Sequence, residues 1–189
     1  MQSKRESPGS HAAQHFRENQ SFDVPGFPEE SEKGPYSRPI AEEGIPMARV
    51  LIVDDHAFIR RGVRGILQDF PEWEVCAEAD NGKDAVRLAE ELKPEVILMD
   101  VSMPGITGLE AARTIRGSDP HVKIILLTLH DSRELVRSAF QSGANGYLLK
   151  NDAEQELIRA LTIVIADGTY VSPKIDAEFV KHTIAPHAD

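Results

Sequence analysis

Short apolar segments alternate with longer segments of helical apolar spacing five times along the chain. This alternation restricts the fold more than any other feature, because strands separated by helices build a parallel sheet with helices on both faces. We therefore predict an α/β fold, a doubly wound five-stranded parallel sheet. The predicted strands are 50–53, 74–78, 96–99, 122–127 and 147–149.

Residues that start or stop helices bound the predicted helical segments. Pro71 ends the first helix. Thr107 and Glu110 form a capping-box pattern for the third helix. Gly143 has the position of a C′ glycine after the fourth helix, and Asp152 or a neighbour caps the fifth. The predicted helices are 56–70, 81–92, 107 onward, 131–143 and 152–168.

Composition divides the chain into three parts. Residues 1–46 hold half of the twelve prolines, are rich in Gly, Ser and acids, and contain no apolar run long enough to bury. We therefore expect a disordered N-terminal extension, with Met47 as a candidate functional start. Residues 47–168 form the predicted domain, and 169–189 form a linker or short helix.

Charge and hydropathy exclude several classes of function. The net charge of −10 argues against non-specific attraction to nucleic acid or anionic lipid, since both require basic patches. No apolar run approaches the length of a transmembrane helix, and no apolar segment typical of a secretory signal follows the N-terminus. The single cysteine excludes an intrachain disulfide and fits a reducing compartment. We expect a cytoplasmic location.

Five polar residues lie at the carboxyl ends of predicted strands. Asp54 and Asp55 follow the first strand and Asp100 follows the third, while Thr128 and Lys150 follow the fourth and fifth. Each has an ordinary interpretation alone, because acids cap helices, threonine favours strands and lysine faces solvent. In a parallel sheet, however, these strand ends share one edge, where ligand crevices open. The joint pattern favours a site in which three acids surround a hard cation and a phosphoryl group.

The order and spacing of these motifs resemble the receiver domain of two-component response regulators. The matching segments are Val53-Asp54-Asp55, Met99 to Gly105 with Gly108, Leu127-Thr128, and Gly146 to Lys150. The resemblance covers about residues 48–168, and details such as Asp55-His56 are similar to receivers of LuxR/NarL-type transcription regulators. It implies a flavodoxin-like fold with strand order 2-1-3-4-5.

The resemblance also implies the chemistry of the site. Asp100 would be the phosphoacceptor, attacking the phosphorus of a phosphohistidine donor. Asp54, Asp55 and Asp100 would hold Mg²⁺ together with the backbone carbonyl of Ser102. Mg²⁺ favours oxygen ligands and retains several waters, which suits such a set. The cation would also offset repulsion among the acids, which otherwise raises a carboxyl pKa.

Further residues would bind the phosphoryl group and transmit the signal. Lys150 and Thr128 match the family's phosphoryl-binding positions, and Tyr147 matches its aromatic switch position, where the ring turns inward as Thr128 moves. Tyr147 has the alternative role of an aromatic packed on the fourth helix. Leu129 and His130 match positions that tune dephosphorylation, although a histidine exposed in a loop is an equal alternative.

The implied partners are a sensor histidine kinase or phosphotransfer protein and an unspecified downstream protein. The signalling face would be helix four, strand five and helix five, where Arg133, Arg137 and Gln141 are predicted to be exposed. A phosphorylation-dependent homodimer is compatible with this role, and no separate enzymatic turnover is expected. Too few residues follow helix five for a helix-turn-helix output domain, so direct DNA binding is not expected. Membrane association is not expected either, because no apolar run is long enough to span a bilayer.

Two other classes of function compete with a phosphorelay receiver. A haloacid-dehalogenase-like phosphatase also uses an Asp nucleophile, Mg²⁺, Thr and Lys at strand ends. It requires Asp-x-Asp after the first strand, whereas Asp54 and Asp55 are adjacent and the nucleophile candidate follows the third strand. A protein with the same fold could instead act by contact without phosphorylation, and the intact five-residue set argues against that alternative.

Overall fold

The computed structural model describes residues 47–175, so the predictions for 1–46 and for 176–189 lie outside the described residues. Strands and helices alternate through this part of the chain. The strands are β1 (Ala48–Val53), β2 (Trp73–Ala79), β3 (Val96–Asp100), β4 (Lys123–Thr128), β5 (Gly146–Leu149) and β6 (Tyr170–Val171). The helices are α1 (Ala57–Gln68), α2 (Gly82–Leu92), α3 (Gly108–Ser118), α4 (Arg133–Gln141) and α5 (Ala153–Ile165).

The strands form one parallel sheet in the order β2-β1-β3-β4-β5-β6. The predicted α/β class and the order 2-1-3-4-5 are confirmed. The order of the strands reverses at β1, which lies between β2 and β3. Ligands of such sheets bind beyond the carboxyl ends of the strands next to this reversal. A ligand site is therefore expected beside the residues that follow β1 and β3.

Different helices pack on the two faces of the sheet, because successive side chains of a strand point to opposite faces. One core cluster combines strand residues with buried residues of α2, α3 and α4, and the other combines them with residues of α1 and α5. The inner strands β1, β3 and β4 are largely apolar because both faces of the sheet are covered, whereas the edge strand β2 contains two glutamates. Strand residues of the first cluster include Leu51, Ile97, Ile124 and Tyr147, and those of the second include Val50, Leu98, Ile125 and Leu148. Within residues 47–175, no helix is long and apolar enough to cross a bilayer.

The sequence prediction missed the short strand β6. Residues 169–189 were expected to form a linker or short helix, but Tyr170–Val171 pairs with β5. Ser172 extends this attachment, because its amide donates to the Tyr147 carbonyl (2.9 Å) and its hydroxyl accepts from the Leu149 amide (2.8 Å). A strand of two residues has no periodic pattern, which explains why it was missed. The segment after α5 is thus tied to the end of β5.

Helix caps agree with the prediction in part. Thr107 and Glu110 form a capping box, in which the Thr107 side chain accepts from the Glu110 amide and the Glu110 carboxylate accepts from the Thr107 amide. The fourth helix begins later than predicted and is capped by Ser132. Asp152 has the N-cap position of α5 but makes no side-chain cap hydrogen bond. The predicted position of the cap is therefore confirmed, but the Asp152 carboxylate pairs with Lys174 and makes no cap hydrogen bond.

Replacement of Gly108 by Ala should destabilise the protein, because a Cβ there would lie 1.9 Å from the backbone oxygen of Asp100. The backbone of β3 or α3 must then shift, and such overpacking costs about 1–3 kcal/mol of the free energy of unfolding. Gly117→Ala is a matched control on the same helix, since a Cβ there meets nothing within 4 Å. Urea unfolding followed by circular dichroism should show a loss for Gly108→Ala and none for Gly117→Ala. Equal stabilities of the two variants would contradict this packing argument.

Candidate functional site

Three of the predicted residues meet at the carboxyl edge of the sheet. Asp54 directly follows β1, Asp100 is the last residue of β3, and Lys150 directly follows β5. The Lys150 ammonium lies 2.6 Å from Oδ2 of Asp54 and 3.0 Å from Oδ1 of Asp100. All three side chains are less than a tenth exposed. The ammonium therefore offsets the charge of two carboxylates that the sheet holds together.

Asp54 is positioned by the beginning of α1. Its Oδ1 accepts a hydrogen bond from the His56 amide (2.9 Å), and its backbone carbonyl accepts from the Arg60 guanidinium (2.6 Å). Asp55 is adjacent and partly exposed. Within the described part of the chain, the buried oxygens Oδ2 of Asp54 and Oδ1 of Asp55 accept no hydrogen bond. Oδ2 of Asp54 lies beside the Lys150 ammonium, and Oδ1 of Asp55 lies beside Nδ1 of the His56 ring.

The acid cluster has the donor chemistry of a divalent cation site. One ligand atom from each of Asp54, Asp55, His56 and Asp100 lies within 4.8 Å of the others. Three of these four donors are carboxylate oxygens, which hard cations prefer. The Lys150 ammonium contacts Asp54 and Asp100 but offsets only part of the charge of three neighbouring acids, so a demand for further positive charge remains. The residues therefore fit the Mg²⁺ that the resemblance implies.

Burial is the largest influence on the Asp100 carboxyl. It raises the pKa above the ordinary value, while Lys150 and the Ser102 amide oppose the shift. Repulsion from Asp54 contributes less than burial and less than Lys150. Desolvation, rather than the expected repulsion among the acids, is therefore the main cause of the raised pKa of Asp100. Lys150 therefore helps to keep Asp100 in the ionised form that a nucleophile requires.

This raised pKa predicts a pH-dependent penalty on stability in metal-free protein. Above the ordinary value of 3.8, the unfolded chain loses the Asp100 proton while the folded protein retains it, so ionisation of the folded state costs stability as pH rises. Asp100→Asn removes this penalty. In urea unfolding with EDTA, the stability of Asp100→Asn relative to wild type should therefore grow from pH 3.8 up to the raised pKa. A difference in stability between the variant and wild type that does not change with pH would show that the pKa of Asp100 is not raised.

Thr128 and the loop after it form one side of the site. Thr128 is the buried last residue of β4, and its hydroxyl accepts from the His130 amide (3.1 Å). The described hydrogen bonds of the Thr128 side chain are with the His130 amide and with the Tyr147 hydroxyl rather than with Asp100 or Lys150. Leu129 is 64% exposed and the His130 side chain is also exposed. Both residues follow Thr128 directly in the loop before α4.

Tyr147 links this loop to the core. The residue is fully buried in the cluster that contains α4 residues, and its hydroxyl donates to the His130 carbonyl (2.7 Å). Burial raises the pKa of Tyr147 to about 12, while a hydrogen bond with the Thr128 side chain opposes the shift. The ring thus packs beneath the loop that Thr128 begins. On the outer surface of α4, Arg133, Arg137 and Gln141 are exposed, as predicted.

Sequence reasoning overlooked several residues that position the site. The Nδ1 atom of His56 lies 2.8 Å from Oδ1 of Asp55 and 3.2 Å from Oδ1 of Asp54. His56 directly follows the two acids, and this adjacency was a usable signal. Arg60 lies one helical turn further on, which brings it back to the same strand end. Ser172 offered no comparable signal, because its partner Leu149 is distant in sequence.

Comparisons with known proteins agree with this geometry. The family model for the response regulator receiver domain matches residues 50–162. The transcriptional regulatory protein DegU of Brevibacillus brevis is 41% identical over 133 residues, which are 70% of this chain and 56% of DegU. The response regulator UvrY of Escherichia coli K12 is 43% identical over 140 residues, which are 74% of this chain and 64% of UvrY. The chain therefore spans less than two thirds of these relatives.

Solved structures give the same result. A LuxR-family two-component response regulator from Aurantimonas sp. SI85-9A1 has a TM-score of 0.68 and 35% identity, covering 72% of this chain and 97% of that chain. The signal receiver domain of NarL from Mycobacterium tuberculosis has a TM-score of 0.60 and 33% identity, covering 64% of this chain and 97% of that chain. Both matches extend over almost the whole of the solved chains.

Proposed function

This chain belongs to the family of response regulator receiver domains, and on that premise we propose that it accepts a phosphoryl group on Asp100 from a histidine kinase or phosphotransfer protein. The observation that carries the proposal is the contact of Lys150 with both Asp54 and Asp100. It supports a site in which one cationic side chain is available to a group bound at Asp100. Phosphorylation would be part of signalling, without separate enzymatic turnover.

The nucleophile in this proposal is the Asp100 carboxylate. An oxygen of Asp100 forms a bond to phosphorus as the bond between phosphorus and the donor imidazole nitrogen breaks, and the electron pair of that bond remains on the imidazole. The described contacts of Asp100 with the Ser102 amide and with Lys150 both involve Oδ1. Oδ2 is therefore the oxygen that attacks, while Oδ1 is held in place.

Charge stabilisation of the transferred group would come from residues around Asp100. Positioning and electrostatic stabilisation are the main requirements of phosphoryl transfer. Lys150 would move its ammonium from the carboxylates to a phosphoryl oxygen, and the Thr128 hydroxyl would donate to another. Asp54, Asp55, Asp100 and the Ser102 carbonyl would hold Mg²⁺, which supplies positive charge to the phosphoryl oxygens when bound.

The same residues support a route for signal output. The hydroxyl of Thr128 contacts the His130 amide, and the His130 carbonyl contacts the Tyr147 hydroxyl. Movement of Thr128 towards a phosphoryl group would therefore alter the hydrogen bonds that anchor the loop before α4. We propose that this change shifts the populations of the conformations adopted by the surface of α4, β5 and α5. Leu129 and His130 would influence water access and hence dephosphorylation.

The downstream process is proposed from the relatives. DegU is named as a transcriptional regulatory protein, and we propose control of transcription as the process that this chain serves. With a net charge of −10, the chain is suited to protein contacts rather than to direct contact with DNA. A downstream protein or a phosphorylation-dependent homodimer would meet the exposed surface of α4.

Intact mass spectrometry of the full chain with acetyl phosphate tests the proposed function. We expect a labile gain of one phosphoryl group with Mg²⁺ and none with EDTA. A phosphorylated histidine kinase offered as the donor should give the same singly phosphorylated chain. If neither donor modifies a folded sample, the proposal fails, and a role in binding without phosphorylation replaces it.

A further inference from the structure

The ring of His56 lies against the acid cluster although nothing in its helix requires this. His56 has the N-cap position of α1, but its side chain makes no cap hydrogen bond. Instead, Nδ1 lies 2.8 Å from Oδ1 of Asp55 and 3.2 Å from Oδ1 of Asp54. The ring is 66% exposed, so packing does not force it into this position.

Backbone hydrogen bonds hold the His56 Cα atom beside the acid cluster. The His56 amide donates to Oδ1 of Asp54, and the His56 carbonyl accepts from the Ile59 and Arg60 amides in the first turn of α1. The Cα atom is therefore held between the strand end and the helix. Only side-chain rotation separates the observed ring position from one in solvent, and the ring faces the carboxylates.

The separations of His56 Nδ1 from the two carboxylate oxygens, which are also hydrogen-bond distances, are close to those between neighbouring ligands of one cation. Adjacent ligands at right angles are about 3 Å apart when the bonds to the cation are about 2.1 Å long. The two distances from Nδ1 to the carboxylate oxygens lie on either side of this value. A neutral imidazole also adds a donor without adding charge to a cluster that already holds three acids.

We propose that His56 is a further ligand of the cation at this site, through Nδ1, and that it shifts the preference of the site from Mg²⁺ towards cations that favour nitrogen. This inference rests on the cation site of the proposed function. Carboxylates alone favour Mg²⁺, Ca²⁺ and Mn²⁺, whereas imidazole favours Zn²⁺, Ni²⁺ and Cu²⁺. One imidazole among carboxylates therefore favours Zn²⁺ over Mg²⁺ more strongly than the three acids alone.

The test is a titration of the ¹⁵N-labelled full chain with Mg²⁺ and with Zn²⁺ at one fixed neutral pH. Backbone amides of residues 54–56 and 100–102 report binding at this site separately from binding at other histidines. We expect His56→Ala to weaken Zn²⁺ binding at least about tenfold, the lower limit for the loss of a group that orients a metal ligand. Mg²⁺ binding should change far less. The ring nitrogen signals of His56 should also show coordination of Nδ1 to Zn²⁺.

His121→Ala is the matched control, because His121 is an exposed histidine in the loop before β4. It should leave both affinities at the site unchanged. If His56→Ala leaves the ratio of Zn²⁺ to Mg²⁺ affinity as in wild type, the inference is wrong while the proposed function stands. If neither cation shifts these amides in wild type, both the inference and the cation site of the proposed function are wrong.

Discussion

Asp100→Asn should take up no phosphoryl group from acetyl phosphate and Mg²⁺ and should retain the fold of the wild type. The amide cannot act as the nucleophile, because its electrons are delocalised and it carries no negative charge. The fold should persist because Asn can still accept from the Ser102 amide, as Oδ1 of Asp100 does at 3.3 Å. Removing a buried carboxylate whose pKa is raised by desolvation also relieves a cost of folding.

Asp54→Asn is the informative comparison for this result. Asp54 follows β1, where a haloacid-dehalogenase-like phosphatase would place its nucleophile. Its oxygens contact the His56 amide and Lys150, so it is already engaged on both sides. Intact mass spectrometry should show reduced but measurable uptake by Asp54→Asn and none by Asp100→Asn. The opposite order would identify Asp54 as the acceptor and would favour the phosphatase alternative.

Much of this site could be predicted because strand ends are easy to locate in a parallel sheet. Apolar runs identified β1, β3, β4 and β5, and the topology then brought Asp54, Asp100 and Lys150 to one edge. Membership of the receiver family, including the likeness to LuxR/NarL-type regulators, is also confirmed. These results depend on burial and periodicity, which are properties of many residues together.

The features that were missed depend on single side chains. The ring of His56 faces the acids through one rotamer, which no periodic pattern can predict. The Ser172 hydroxyl accepts a hydrogen bond from the Leu149 amide, although the two residues are far apart in sequence. Strand β6 contains only two residues, too few for a periodic pattern. Similarly, the Asp152 carboxylate pairs with Lys174 and makes no cap hydrogen bond with α5. Local contacts of this kind require coordinates.

Lys150→Met should destabilise the metal-free protein strongly. Methionine keeps the length and apolar stem of lysine but removes the ammonium that contacts Asp54 and Asp100. Removal of one partner of a buried ion pair costs about 3–5 kcal/mol, because the remaining charge is left uncompensated. Lys174→Met is the matched control, since Lys174 pairs with Asp152 but is 65% exposed, and such pairs contribute at most about 1 kcal/mol. Urea unfolding with EDTA measures both losses.

Addition of Mg²⁺ should then separate the two roles of Lys150. A cation at the acid cluster offsets the charges that the lost ammonium had balanced, so Mg²⁺ should stabilise Lys150→Met more than wild type. The rate of phosphoryl uptake by Lys150→Met should nevertheless remain about 10²–10³-fold below that of wild type, because the donor to the transferred group is still absent. Restored stability without restored uptake would show that Lys150 acts on the phosphoryl group as well as on the acids. Full recovery of uptake with Mg²⁺ would limit Lys150 to charge balance in the resting site.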